Sequence, residues 1–397
     1  MWVVLFRLPA RSCGDDKFLS SSTFQRIWLP GFVLQSVVIG GGYATGRELV
    51  EFFLSSGPVG GLLGMLVATI LFSVVSALCF ELARLTQSYN YRSFFQQLLG
   101  RGWFLFELAY FVLGLLVLAV VGAAAGELTS AHLGIPSTVV TVIFMALVGL
   151  LVFWGSAMIE KALASWAILL YVTYVTLVGC YLWRYGNDLA ANLGQAPVGS
   201  EWLVKSVRYV GYNVAVIPVV LFCVNHMTSR RDAFTAGALA GPLVMAPAIL
   251  FYLAMAAAYP AILDSAVPAD FLMQGLAMPW LMVIFYIVVF GTLVATGTAF
   301  IHAVNERIDE AYREKGKEMS HWQRVAIAFI ALLLAVVLAG KFGLIGLIAK
   351  GYGTLTWVFI AVFVIPLCTV GVWKIRQGKA SASPGSSPGS SSPPNHT

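Results

Sequence analysis

The chain of 397 residues is 59% hydrophobic and 11% charged, against about 45–50% and about 25% in an ordinary soluble domain. With a mean hydropathy of +0.85, these fractions exclude a soluble globular enzyme. They describe a polytopic membrane protein whose 11 Trp, 26 Phe and 15 Tyr suit lipid and its interfaces. The net charge of +6 then reads as membrane topology, and no nucleic-acid partner is expected.

The apolar run Trp2 to Phe6 ends at Arg7 and is too short for a signal-peptide core, so residues 1–26 are expected to form a cytoplasmic lead. A membrane-crossing helix needs about 20 mostly apolar residues. Ten stretches supply them, at 27–55, 59–83, 103–127, 137–155, 162–184, 203–224, 233–258, 279–305, 322–340 and 344–373. Residues 374–397 are expected to be a disordered cytoplasmic tail, because from Ala380 onward Ser, Pro and Gly leave almost nothing to bury. Cys13, Cys79, Cys180, Cys223 and Cys368 include no CxxC pair, which argues against a disulfide framework or a metal site. No cofactor is expected.

Ten spans place both termini on one side, and basic residues in short loops mark the cytoplasmic side. With the N-terminus inside, most of the 24 Lys and Arg fall on inner segments, among them Arg26, Arg84, Arg230, Arg307 and Lys374. The outer loop from Tyr259 to Pro279 carries Asp264 and Asp270 and no basic residue. The expected location is the cell (inner) membrane, with both termini cytoplasmic.

The first span contains Ile39-Gly40-Gly41-Gly42-Tyr43-Ala44-Thr45-Gly46-Arg47-Glu48. Each glycine costs about 1 kcal/mol relative to alanine in a helix. An unwound segment in lipid must have its backbone satisfied by protein or by a water-lined cavity. Close helix packing through small residues is the plainer alternative. In the sixth span, Arg208 to Pro218 places Gly211, Asn213 and Pro218 inside one apolar run. If the ten spans divide five and five, these are corresponding positions in two halves of opposite orientation, about 27–184 and 203–373. Interrupted helices at such positions point to the midplane site of a secondary transporter.

The stretch Gly40 to Glu48, followed by Phe52-Phe53, resembles the GAGFATGQE signature of the YkvI-type membrane proteins. That group is itself similar to the LeuT-fold transporters of the amino acid/polyamine/cation superfamily. Gly41 stands where the signature has Ala, Tyr43 where it has Phe and Arg47 where it has Gln. The resemblance implies an all-α membrane bundle of ten helices, built as a LeuT-type 5+5 inverted repeat with helices one and six broken. It also implies a sodium ion between the unwound part of span one and hydroxyls of span eight. Ile39, Thr292 and Thr296 are the candidates, the two threonines sharing a helix face; each can equally bond the carbonyl one turn back.

The expected function is ion-coupled symport of a small amino acid or related zwitterionic amine by alternating access, with sodium favoured over protons. The rival is a ligand sensor of the same fold that binds without net transport. Gly40, Gly41 and Gly42 would meet a carboxylate, with Tyr43, Ala44, Thr45, Tyr212 and Asn213 around the rest of the molecule. Arg47 can pair with Glu51 one turn on. Glu48 would then gate the outer path with Lys350 or Arg208, or carry a proton. Arg26 and Glu306 or Asp309 are expected at the inner gate. An intramembrane hydrolase has only Gly155-Ser156 and a distant His226 or His302 to draw on. None of the ten apolar stretches contains a GxSxG or HExxH motif, and no enzyme activity is expected.

Overall fold

The structure, a computed structural model, describes residues 23–154, 157–313 and 320–378. The terminal segments, Gly155-Ser156 and the basic loop around Lys315 and Lys317 lie outside the described residues. The described chain is helical throughout, with no strand among the described residues.

A π-helical turn, Phe24–Trp28, leads into α1 (Leu29–Val38), followed by the short α2 (Gly41–Ala44) and α3 (Arg47–Phe52). Then come α4 (Pro58–Thr86), α5 (Tyr91–Leu99), α6 (Trp103–Leu133), α7 (Ser137–Trp154) and α8 (Ala157–Gln195). The second half comprises α9 (Trp202–Asn213), which continues as a 3-10 helix over Val214–His226, and α10 (Arg230–Ala257). After it come α11 (Pro268–Leu276), α12 (Pro279–Arg313) and α13 (His321–Gly346). The chain closes with a π-helical stretch Leu347–Tyr352, α14 (Gly353–Phe359), further π turns and α15 (Val372–Gln377). Six helices among the described residues are long and apolar enough to cross a membrane by length and composition, and the apolar Ser137–Val152 is shorter.

Lipid is as apolar as a leucine side chain, so helices in a membrane associate through close packing of small residues rather than by burying apolar surface. The centre of this bundle follows that rule. α10 lies against α1, α4 and α8, and its seam with α4 is glycine-lined. A Cβ on Gly237 would stand 2.3 Å from the Ala77 Cα, and one on Gly241 2.2 Å from the Thr69 carbonyl oxygen. The Ser73 hydroxyl donates across the same seam to the Ala238 carbonyl at 2.9 Å. On the other side, Gly114 of α6 makes the slot for the Phe300 ring of α12, where a Cβ would sit 1.6 Å from the ring. Gly122 does the same for Met145 of α7. These glycines serve neighbouring helices.

The sixth predicted span differs from expectation. Gly211 does not open the helix: it lies inside α9, where a Cβ would come 2.5 Å from the Thr356 side chain, and the Thr356 hydroxyl donates to the Arg208 carbonyl at 2.6 Å. The change comes after Asn213, where the chain tightens into 13 residues of 3-10 helix containing Pro218. Proline has no N–H to donate and its ring crowds the preceding turn, so α geometry is disrupted while the backbone stays helical.

A Gly237→Ala variant is expected to lose roughly 1–3 kcal/mol of stability, as overpacked cores do. Gly340→Ala is the control, because its Cβ meets nothing within 4 Å. Thermal unfolding of the purified protein checks this; equal melting temperatures for the two variants would refute the tight α4–α10 seam.

Candidate functional site

The site is organised by the breaks in the first predicted span. α1 stops at Val38; Ile39 leaves the helix with φ −80° and ψ 76°, and the Gly40 amide turns back to the Val38 carbonyl at 2.9 Å. After the single turn of α2, Gly46 adopts φ +79°, a conformation glycine reaches without the penalty a Cβ imposes. Glycine is needed there for space as well, since a Cβ would meet the Phe251 ring at 3.0 Å.

Several freed backbone groups of this stretch find partners, as burial favours. The Ala44 amide donates to Gly40 at 3.2 Å and the Gly46 amide to Tyr43 at 2.9 Å. The Arg47 amide reaches the Thr45 hydroxyl oxygen at 3.2 Å. Two further bonds come from outside: the Tyr174 hydroxyl of α8 donates to the Ala44 carbonyl, and the Ala269 amide of α11 donates to the Thr45 carbonyl at 3.0 Å. Tyr174 lies far from the glycine motif in sequence and was not among the expected site residues. Its rank as an aromatic in an apolar span carries no signal of this role.

Between the broken stretch, α8 and α10 lies a cavity of about 460 Å³, bordered by Ile39, Tyr43 and Ala44 on one side and by Tyr171, Tyr174 and Phe251 on the other. The Tyr43 hydroxyl is buried and has no hydrogen-bond partner. On the opposite side of the break, the Thr296 methyl of α12 is 3.9 Å from where a Cβ on Gly40 would stand. The Thr292 hydroxyl donates to the Val288 carbonyl at 2.8 Å, and that of Thr296 to the Thr292 carbonyl at 2.9 Å. A hydroxyl bonded in this way keeps acceptor lone pairs. Ile39, Gly40 and Thr296 are thus brought together.

Tyr212 and Asn213 face elsewhere. The Asn213 amide donates to the Tyr209 carbonyl at 2.9 Å, while the Tyr212 hydroxyl donates to Glu48 Oε2 at 2.6 Å. Tyr212 stacks on Tyr352, with centroids 4.5 Å apart and planes at 16°, and Phe52 lies 5.7 Å from it. Glu48 therefore bonds a phenol of α9, and neither Lys350 nor Arg208 pairs with it among the described residues.

Arg47 joins Glu51 at 3.1 Å. It also donates to the Leu263 and Ser265 carbonyls at 2.7 and 2.9 Å, fastening the segment between α10 and α11 to α3. α11 is held from the other side: Asp270 accepts from Tyr286 at 2.5 Å, lies 3.1 Å from His132 and accepts from Gln274 at 2.8 Å. Before α1, Arg26 reaches Thr228 at 3.2 Å and Asp232 at 3.6 Å, the latter the N3 residue of the capping box of α10. Asp309 pairs with Arg324 at 2.9 Å. The Glu306 side chain lies outside the described residues.

An Arg47→Gln variant removes charge-assisted bonds of about 1.5–3 kcal/mol each. Amide hydrogen exchange over residues 261–270 is expected to speed up at least tenfold. Unchanged exchange would mean that the loop is held by α11 alone.

No family model matches the chain. It is 27% identical over 212 residues to the uncharacterized membrane protein YkvI of Bacillus subtilis (strain 168), a match covering 53% of this chain and 60% of that relative's length. Among solved structures it resembles Mhp1, a nucleobase-cation-symport-1 family transporter, in a closed conformation with bromovinylhydantoin bound. The identity is 17%, the TM-score 0.52, and 89% of this chain and 79% of that one are covered. A mutant manganese transporter of Eremococcus coleocola superposes with TM-score 0.52 at 13% identity, covering 93% and 85% of the two chains. The protein is a membrane protein of LeuT-type fold that resembles YkvI.

Proposed function

We propose that the protein is a secondary active transporter that carries a small amino acid or related zwitterionic amine together with sodium by alternating access. The observation that carries this reading is the helix broken twice, at Ile39-Gly40 and Thr45-Gly46, beside a cavity of about 460 Å³. Irregular backbone at membrane depth is tolerated only where protein or a cavity satisfies it, and transporters build their sites from such discontinuous helices. The LeuT-type fold supports the same reading at the level of architecture.

In this reading the chain makes ten spans in two inverted halves, about 27–184 and 203–373, between a cytoplasmic lead (1–26) and tail (374–397) in the cell membrane. The substrate lies against Gly40, Gly41, Gly42, Tyr43, Ala44 and Thr45. The buried Tyr43 hydroxyl, which has no partner, supplies a polar contact for it. Tyr212 and Asn213 act from the neighbouring α9. Sodium takes the Ile39 carbonyl and the hydroxyl oxygens of Thr292 and Thr296. Arg47 and Glu48 close the outer side. Arg26 closes the inner side with Asp232 and Thr228, near the end of α12 that carries Glu306.

A ligand that binds only the folded state raises stability by RT ln(1 + [L]/Kd), about 2.7 kcal/mol at a hundredfold excess over Kd. A thermal-stability screen of amino acids and amines in sodium and in potassium is expected to show at least one shift that needs sodium. Thr296→Val should abolish that sodium dependence. A panel without any shift would sink the substrate class. A ligand that binds but is not moved into proteoliposomes would make the protein a sensor.

A further inference from the structure

Glu48 is an outlier among the carboxylates of this chain. The side chains of Glu81, Asp270 and Asp309 are also buried, but each has a basic neighbour: Arg84 at 2.9 Å, His132 at 3.1 Å and Arg324 at 2.9 Å. Glu48 is 6% exposed and makes one hydrogen bond, from the Tyr212 hydroxyl. Its helix neighbour Arg47 turns away to Glu51, Leu263 and Ser265. The ionisable groups facing the carboxyl are phenols: Tyr43 from α2, Tyr209 and Tyr212 from α9, and Tyr352 from the π-helical stretch. From α10, Tyr252 spends its hydroxyl on the Gly57 and Pro58 carbonyls.

A charged carboxylate at membrane depth costs a few kcal/mol even on the mildest scales, and an unpaired buried charge is avoided by neutralisation. No cation among the described residues neutralises this one. The rings around it are close-packed, Tyr212 on Tyr352 at 4.5 Å and Phe52 at 5.7 Å from Tyr212, which favours the one cation that needs no room. We propose that Glu48 is a proton-binding site of the transport cycle, holding a proton on one carboxyl oxygen while Tyr212 donates to the other. The bond joins α3 to α9, so it breaks when the two helices part. Water then reaches the carboxyl, takes the proton and leaves a solvated carboxylate.

The proposal rests on the transporter reading for its place in a cycle, but its test reads the proton itself. Infrared spectra of the full chain in lipid nanodiscs at neutral pH are expected to contain a protonated-carboxyl band that Glu48→Gln removes. Tyr212→Phe keeps the carboxyl and removes its donor, so there the band should persist at a shifted frequency; this variant also serves if Glu48→Gln does not fold. With the native cysteines replaced, a cysteine at Ser265 should label in alkaline buffer faster than its rising thiolate fraction accounts for as the band disappears, and only in proportion to that fraction in the Glu48→Gln background. Identical wild-type and Glu48→Gln spectra would overturn the site and point to an organic ammonium or sodium as its occupant. Equal pH dependence of labelling in both backgrounds would overturn its coupling to opening. Either result leaves the sodium screen, and with it the transporter reading, to stand or fall separately.

Discussion

Inside a bilayer no water is available to satisfy a free peptide group, and the arrangement around the first helix follows from that constraint. The chain leaves α geometry at Ile39-Gly40 and again at Thr45-Gly46, and elements distant in sequence must supply what the helix no longer does. Tyr174 of α8 caps the Ala44 carbonyl and Ala269 of α11 caps that of Thr45. Breaking the helix therefore ties α1–α3 to α8 and to α11. Any movement of the broken stretch has to exchange those two bonds for others, from water or a ligand.

The same constraint explains why the two ends of the molecule are fastened differently. At one end, Arg47 spends its guanidinium on the loop carbonyls of Leu263 and Ser265, and Asp270 collects Tyr286, His132 and Gln274. At the other, Arg26 meets Asp232 and Thr228 with its side chain partly exposed. Exposed ion pairs contribute little, about 0–1 kcal/mol, whereas buried charge-assisted bonds contribute more. The Arg26 contact is thus the weaker of the two.

Between the ends, the aromatic cluster of Phe52, Tyr209, Tyr212 and Tyr352 joins α3, α9 and the π-helical stretch before α14. Gly211 and Gly353 let these elements approach, the former against Thr356 and the latter against Arg208. Ring packing and glycine contacts tolerate little displacement, so α9 and α14 are closely fitted to each other. Glu48 is the polar centre of this otherwise apolar joint.

Composition and hydropathy suffice to make this a membrane protein, because only long apolar helices or closed barrels cross lipid. The glycines at 40–42 and 46 mark where the first helix gives way, since helix propensity is a local property. In the sequence, a glycine that breaks a helix looks the same as one that receives a neighbour. Gly46 has the positive φ, while Gly114, Gly211 and Gly237 stay helical under Phe300, Thr356 and Ala77. Nor does the sequence pair Glu48 with Tyr212, 164 positions apart, or point to Tyr174 and the Asp270 cluster. A backbone's tolerance for unwinding is written in neighbouring residues; which side chain meets a freed carbonyl or a lone carboxyl depends on how distant helices cross, and that was decided only by the tertiary structure.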